Sequence, residues 1–327
     1  MRIFRWLALP AFAALTAAVA CAADANSTAY LFTYFVKNGA DGLHLAWSAD
    51  GYKWEALNSG ASYLPPRVGK SKLMRDPCVA CGPDGTYRMV WTSGWWENNI
   101  GYASTRDFIT WSEEREIPVM AHEPAVRNCW APEVFWDAKR GEFLLFWSST
   151  IPERFPATRG SSEDQLNHRL YATTTRDFAA FTPTRFYYDP GFCVIDATVF
   201  AAGGRFGLIV KDETKFPVPR KHLRLALGDD PEGPWGELTA PFTPAGVWAE
   251  GPTAIKIGGD YLVYFDAYQQ GHYAGLRSRD LVTWEEVTAR MTFPNEGGPQ
   301  RMRHGTVIAV PAALVDRLRA ISVVAAP

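Results

Sequence analysis

Titratable side chains recur near the openings of five short β-type segments in this chain of 327 residues. In chain order they are Asp76, Glu133, Asp196, Glu250 and His304. The matching positions in the five segments are separated by 55, 65, 54 and 54 residues. They are occupied by Asp76, Ala131, Asp196, Glu250 and His304, and in the second segment the acid, Glu133, comes two residues after the matching position. Such a period is typical of a radial array of similar units, which gathers distant residues around one axis. Carboxyl groups gathered in this way could supply the general acid and the opposing base that hydrolysis of a glycosidic bond requires.

A second repeat runs in phase with the first and defines the elements that must position these groups. Each unit continues with an apolar run, a third strand and a Ser/Thr-x-Asp-type turn that is followed by an aromatic residue, and it ends in a fourth strand. The Asp turns are at Asp50, Asp107, Asp177, Asp230 and Asp280. Five four-stranded units in a row predict an all-β fold, a five-bladed β-propeller.

The two ends of the chain fit together in this scheme. Strands two to four of the first unit come at residues 29–57 with no inner strand before them, and the last inner strand, Arg303 to Val310, has no successors. Pairing of the N-terminal strands with the C-terminal inner strand would complete one blade and leave no exposed sheet edge.

In a propeller, the starts of the innermost strands and the ends of the second strands open on one face. Asp76, Asp196, Glu250 and His304 fall at inner-strand starts, and Lys211 and Tyr268 follow second strands. Asp76 and Glu250 could instead cap turns, since proline follows closely. Asp196 lies in an apolar strand, where a carboxylate needs partners or a function. Three acids at the same phase favour the functional interpretation.

The N-terminal residues have the pattern of a targeting segment. Two arginines precede an apolar stretch from Trp6 to Ala20 that is too short for a comfortable membrane span. We expect a signal peptide over residues 1–23 and a single propeller domain over residues 24–327 of a secreted or periplasmic protein. The alternative is a lipoprotein signal that ends at residue 20 and an anchor at Cys21. The formal net charge of −2 and the absence of a basic run exclude a nucleic-acid partner.

The four remaining cysteines do not form a metal or redox motif. The Cys78–Cys81 spacing lacks the second pair or histidines that zinc would require. We expect buried thiols, and a bridge between Cys129 and Cys193 stays open as the alternative in an oxidising compartment.

Five motifs taken in order resemble glycoside hydrolase family 43. They are Arg75-Asp76-Pro77, Trp130-Ala131-Pro132-Glu133, Ile195-Asp196-Ala197, Glu250-Gly251-Pro252 and Arg303-His304-Gly305. The resemblance implies an inverting hydrolase with Asp76 as general base, Glu250 as general acid and Asp196 as the residue that tunes and orients the acid. It also implies that His304 holds a water or a calcium ion in the central channel, with no cofactor required.

The chain departs from the family pattern at two motif positions. Glu133 stands where the family usually has Asp, and Ala197 where it usually has Pro. We expect Glu133 to line the sugar pocket. Further substrate-binding candidates are the aromatic residues that could stack on sugar rings and the cations that could bind hydroxyls or pair with the acids: Trp95, Trp96, Trp130, Tyr268, Lys211 and Arg303.

The sequence does not determine which sugar is the substrate. We expect a monomer that acts on oligo- or polysaccharides, and the resemblance implies an α-L-arabinofuranosidase or β-xylosidase. One alternative is a β-galactosidase acting on galactan side chains. An alternative of another class is a non-catalytic sugar-binding propeller, against which the presence of all three acids argues.

Overall fold

A computed structural model describes residues 28–324 of the chain. The expected signal peptide and Cys21 lie outside these residues. Within them, the strands form five separate antiparallel sheets around one centre, the blades of a propeller. The first blade in chain order contains β1 (Thr28–Phe35), β2 (His44–Ser48) and β3 (Glu55–Ala56); the second contains β4 (Arg75–Cys81), β5 (Tyr87–Thr92), β6 (Ile100–Thr105) and β7 (Arg115–Ile117).

The other three blades repeat this order from the centre outward. The third contains β8 (Trp130–Asp137), β9 (Glu142–Ser149), β10 (Arg169–Thr175) and β11 (Arg185–Tyr188). The fourth contains β12 (Val194–Ala202), β13 (Arg205–Asp212) and β14 (His222–Gly228). The fifth contains β15 (Ala249–Ile257), β16 (Asp260–Ala267), β17 (His272–Ser278) and β18 (Glu285–Glu286). The predicted five-bladed all-β fold is confirmed.

The ring closes between the two ends of the chain, as predicted. The last strand, β19 (Arg303–Pro311), is the inner strand of the first blade and pairs antiparallel with β1, from Thr28 opposite Pro311 to Phe35 opposite Arg303. A helix, α1 (Ala312–Val324), follows β19 directly.

The fourth blade differs from the prediction because the structure has only three strands there. The segment after β14 contains Pro231, Pro234, Pro241 and Pro244, and proline supplies no N–H to a ladder. Isolated hydrogen bonds persist, such as that from the Thr239 N–H to the Leu225 carbonyl at 2.8 Å. The outer edge of this blade is therefore irregular.

The Asp turns have the structure that the repeat predicts. At the first turn, Asp50 Oδ1 accepts the backbone N–H groups of Tyr52 and Lys53 at 2.7 and 3.0 Å. The turn at Asp107 has the same pair of bonds to Ile109 and Thr110. These bonds satisfy turn backbone groups, so the aspartates are structural.

Apolar side chains between neighbouring blades form the core, with Trp91, Trp147 and Tyr264 among the largest buried residues. Cys78, Cys129 and Cys193 are buried free thiols, so the bridge between Cys129 and Cys193 is not formed. Cys81 is disulfide-bonded, which corrects the expectation of a free thiol at that position. No helix among residues 28–324 is long and apolar enough to cross a membrane.

Candidate active site

Each inner strand is irregular at its opening, where the five motifs lie. The strand register shifts between Arg75 and Cys78, between Trp130 and Glu133, between Ile195 and Thr198, and between Glu250 and Thr253, and β1 shifts opposite the start of β19. These β-bulges re-aim side chains that a regular strand would alternate between its two faces.

The backbone at the bulges corrects the phase that the sequence predicts for the five motifs. Asp76, Ala131 and Asp196 have φ angles of 53°, 47° and 50°, but in the fourth motif the residue in this conformation is Gly251, at 56°. Glu250 therefore precedes the bulge position by one residue. Positive φ is costly for a residue other than glycine, and such strain is often found at functional sites.

The bulged openings surround a cavity of about 230 Å³ on one face of the ring. Its lining includes Asp76, Asp196 and Glu250, so the structure brings the three predicted acids together. Of the remaining predicted site residues, the lining also contains Trp95, Trp130, Lys211, Tyr268, Arg303 and His304.

Asp76 is held by two partners. Its Oδ2 accepts a hydrogen bond from Thr92 Oγ1 at 2.7 Å, and its Oδ1 lies 3.3 Å from His304 Nδ1. Burial raises the pKa of Asp76, but the hydrogen bond and charge of His304, together with Arg75 and Thr92, outweigh it and lower the pKa to about 2. Asp76 is therefore ionised at neutral pH, as a general base must be.

Lys211 lies between the other two acids. Its Nζ is 3.3 Å from Glu250 Oε2, 3.9 Å from Asp196 Oδ2 and 2.8 Å from Glu213 Oε2. Burial raises the pKa of Asp196 to about 6 even though Lys211 and His304 lower it. Asp196 Oδ2 also accepts the backbone N–H of Gly251 at 3.2 Å, which ties it to the motif that carries Glu250.

Glu250 has a second cation on its other oxygen. Arg303 Nη2 donates to Glu250 Oε1 at 2.7 Å, and Arg303 Nε donates to the fully buried Asp266 at 2.5 Å. Burial alone would raise the pKa of Glu250, but Lys211 and Arg303 lower it. Glu250 is therefore ionised at neutral pH, whereas the pKa of the neighbouring Asp196 is raised.

His304 lines the cavity beside Asp76, whereas Glu133 lies outside the lining. Burial lowers the pKa of His304, but Asp76, Asp196 and Glu133 raise it to about 9, so the imidazole is charged at neutral pH. Burial raises the pKa of Glu133 to about 7, and Glu133 Oε2 accepts a hydrogen bond from Thr198 Oγ1 at 2.9 Å. Glu133 is buried and does not line the cavity, which corrects the expectation that it lines the sugar pocket.

The channel residues do not fit a calcium ion well. A protonated His304 offers no lone pair to a cation, and calcium prefers oxygen ligands. Among residues 28–324, no group of three or more His, Cys, Asp or Glu side chains has the arrangement of a metal site. A water beside His304 remains a prediction.

Aromatic residues form one wall of the cavity. The rings of Trp95 and Trp130 meet edge to face at 5.4 Å, and Trp130 Nε1 donates to the Trp95 carbonyl at 2.7 Å. Tyr268, on the opposite side, lies under Lys211 Nζ at 4.8 Å. Trp96 does not line this cavity, and it packs on the outer side of Trp130 with ring centroids 5.5 Å apart.

The sequence interpretation omits Thr92 and places Asp266 at a strand-two end without a specific role. In the structure, these residues hold Asp76 and Arg303 in place. The signal was available, because β5 ends at Thr92 and Asp266 is the penultimate residue of β16. Both occupy the strand-two ends that the propeller geometry points to the site. Thr92 Oγ1 also accepts the N–H of Ala131 at 2.9 Å and so links two neighbouring blades.

Comparison with known proteins agrees with this fold. Residues 25–316 match the family described as a probable glycosyl hydrolase domain, related to glycoside hydrolase family 43. The chain belongs to this family. It is 25% identical over 373 aligned positions to an alpha-L-arabinofuranosidase from Bifidobacterium longum subsp. longum, an alignment that covers 89% of this chain and 34% of the relative. The chain thus spans about a third of the length of that curated relative.

Solved structures share the propeller at low sequence identity. A xylan beta-1,4-xylosidase from Bacillus halodurans C-125 superposes with a TM-score of 0.53 and 17% identity, covering 72% of this chain and 46% of the other. An alpha-L-arabinofuranosidase from Lactobacillus brevis superposes with a TM-score of 0.50 and 18% identity, covering 66% and 72%. At these identities the likeness concerns the fold alone.

Proposed function

We propose that this family member is a secreted, inverting glycoside hydrolase of the α-L-arabinofuranosidase or β-xylosidase type. The observation that carries the proposal is the convergence of Asp76, Asp196 and Glu250 on one cavity with an aromatic wall. The name of the Bifidobacterium longum relative supports arabinofuranose as the first sugar to test.

In the proposed reaction Asp76 activates a water on one face of the sugar, and Glu250 protonates the leaving oxygen on the other. Glu250 needs a proton, although Lys211 and Arg303 favour its ionised form. Because Asp196 and Glu250 both lie within 4 Å of Lys211 Nζ, we treat their titration as that of a pair. We propose that the pair takes up one proton, which Glu250 delivers.

The test is a screen of p-nitrophenyl pentosides and galactosides with the wild-type protein and two isosteric variants. Asp76→Asn removes the base and Glu250→Gln the acid. Each is expected to lower kcat by about 10²–10⁴-fold on the preferred sugar. Asp229→Asn, an exposed carboxyl on the opposite face of the ring, is the control and should keep full activity.

Three outcomes would change the proposal. Preference for the galactosides would indicate a β-galactosidase. Sugar binding without turnover, unchanged by Glu250→Gln, would indicate a non-catalytic module. NMR during the first turnovers shows the anomeric configuration of the released product. Retention of that configuration would contradict the inverting assignment.

A further inference from the structure

A second cavity lies on the same face of the ring, beside the catalytic one. It has a volume of about 280 Å³ and lies between the end of β9 and the start of β10. Three arginines, Arg127, Arg154 and Arg159, and one carboxylate, Glu153, are its charged lining residues. We refer to it as the outer basic pocket. Its volume is similar to that of the catalytic cavity, so both have room of the same order.

The positive charge of the outer basic pocket is incompletely neutralised. Arg159 pairs with Glu153, but both side chains are more than half exposed, and such pairs are weak and exchangeable. Arg154 Nη2 is 2.7 Å from Glu123 Oε2. Arg127 Nη1 donates to the Asp164 backbone carbonyl at 2.8 Å, and no carboxylate within residues 28–324 forms an ion pair with it. Among residues 28–324, Arg127 is therefore a guanidinium without a carboxylate counter-ion at the pocket wall.

An aromatic surface connects the outer basic pocket to the catalytic cavity. The guanidinium carbon of Arg127 lies 5.1 Å from the centre of the Trp96 ring, and Trp96 packs on Trp130. Trp130 lines the catalytic cavity, while Trp96 is 53% exposed. A sugar chain that leaves the catalytic cavity along this surface would meet exposed aromatic faces first and guanidinium groups next. Aromatic faces suit sugar rings, and guanidinium groups suit anionic oxygens.

We propose that the outer basic pocket is a subsite for an acidic residue of the carbohydrate chain whose scissile bond lies in the catalytic cavity. The inference rests on the proposed function. The recognised chemistry is a pair of anionic oxygens that accepts the planar fork of a guanidinium group, as a carboxylate does. A uronic acid and a sulfate ester both provide such oxygens, and the experiment separates them.

Binding is measured first by calorimetry, with wild-type protein and an acidic xylo-oligosaccharide that bears one glucuronate. A carboxyl-reduced oligosaccharide of the same length is the matched neutral ligand, and a sulfated one is the third arm. The expected result is at least tenfold tighter binding of an anionic ligand than of the neutral one. Preference for the glucuronate or for the sulfate identifies the substituent. Equal affinity for charged and neutral ligands, or binding of none, overturns the proposal.

Variants then locate the binding. Arg127→Gln is expected to remove most of the preference for the anionic ligand, and Arg127→Lys to restore part of it. Arg159→Gln tests the pocket without touching the contact to Trp96. Arg106→Gln, an exposed arginine on the opposite face, removes the same charge and should leave the preference intact. If Arg106→Gln weakens binding as much as Arg127→Gln, the attraction is a general effect of net charge and the subsite is wrong.

Activity on a small aryl glycoside separates this proposal from the proposed function. Such a substrate does not reach the outer basic pocket, so Arg127→Gln should leave its kcat/KM unchanged. If the wild-type protein cleaves no aryl glycoside but still prefers the anionic oligosaccharide in the arginine-dependent way, the subsite stands while the catalytic assignment fails. If the wild-type protein cleaves the aryl glycoside but shows no preference for the anionic oligosaccharide, the catalytic assignment stands and the subsite proposal fails.

Discussion

At the scale of single residues, Lys211 determines the protonation of two carboxyl groups in the cavity. Its buried ammonium group lies beside Glu250, Asp196 and Glu213. A positive charge favours the ionised form of a neighbouring acid, so Lys211 lowers the pKa of both Glu250 and Asp196. Burial opposes this effect. The balance decides the pH above which the proposed acid has lost its proton.

Lys211→Met is expected to move the alkaline limb of the kcat profile to higher pH. In the wild-type protein this limb should lie near pH 6, where the pKa of Asp196 lies. Without the ammonium group the acids hold their proton longer, since only the ionised forms lose a stabilising charge. A pH–rate profile between pH 4 and 9 measures the shift. Lys139→Met, on the exposed opposite face, is the control, and an unmoved limb in Lys211→Met would refute the assignment.

The raised pKa of Glu133 predicts how the free energy of unfolding changes with pH. Burial raises its pKa in the folded protein from the ordinary 4.5 to about 7. Its favourable contribution is thus complete below pH 4.5 and lost as the pH rises through 7, because the unfolded chain ionises first. Glu133→Gln should therefore lose less stability than the wild type between pH 4.5 and 7. Urea unfolding at both pH values measures this, with the exposed Glu237→Gln as control. A parallel decline in wild type and Glu133→Gln would contradict the raised pKa.

At the scale of secondary-structure elements, the bulge at the opening of each inner strand positions the site. The sequence predicts the strands and their order, because apolar runs and Asp turns repeat with a regular period. It does not predict that Gly251, rather than Glu250, takes the positive φ angle. That choice depends on a hydrogen-bond register with β16, in which Glu250 faces Asp266 and Thr253 faces Tyr264.

Gly251→Ala tests the bulge of β15. A Cβ atom at this position would contact the ring of His304, in addition to the strain of a positive φ. We expect a loss of about 2 kcal/mol or more in the free energy of unfolding. Activity should fall as well, because His304 holds Asp76.

The matched control for this bulge is Ala131→Gly, at the equivalent position of β8. Glycine relieves the φ angle of 47° there, while a buried methyl group is lost. We expect a change within about 1 kcal/mol in either direction. Chemical denaturation of both variants gives the comparison, and equal losses would argue against a special role for the bulge at Gly251.

At the scale of the whole molecule, the ring is closed by one blade that contains both ends of the described chain. β19 supplies the inner strand and carries Arg303 and His304 into the site, and α1 follows it on the side away from the cavity. Leu314 and Val315 of α1 pack into the core cluster that includes Leu31 and Leu45. The helix thus helps to hold the closing strand in place.

Leu314→Ala is expected to destabilise the protein by about 2–5 kcal/mol, because it leaves a cavity in this cluster. The kcat of the folded protein should stay unchanged, since α1 contributes no residue to the cavity lining. Thermal unfolding and kinetics at a temperature well below the transition measure the two effects. Ile321→Ala, at a side chain that is 38% exposed, is the control. A large fall in kcat without loss of stability would contradict this separation.

The sequence by itself determined the blade count, the closing pair of strands and the inner strands that carry acids. These features follow from local patterns, namely strand periodicity and turn chemistry, that a single chain displays directly. It also placed Asp76, Asp196 and Glu250 on one face. Only the tertiary structure decided that Lys211 bridges Glu250 and Asp196, that Arg303 joins Glu250 to Asp266, and that Glu133 is buried behind the cavity. Those contacts join strands that are far apart in the sequence, and they depend on the geometry of the bulges and on the packing of the blades.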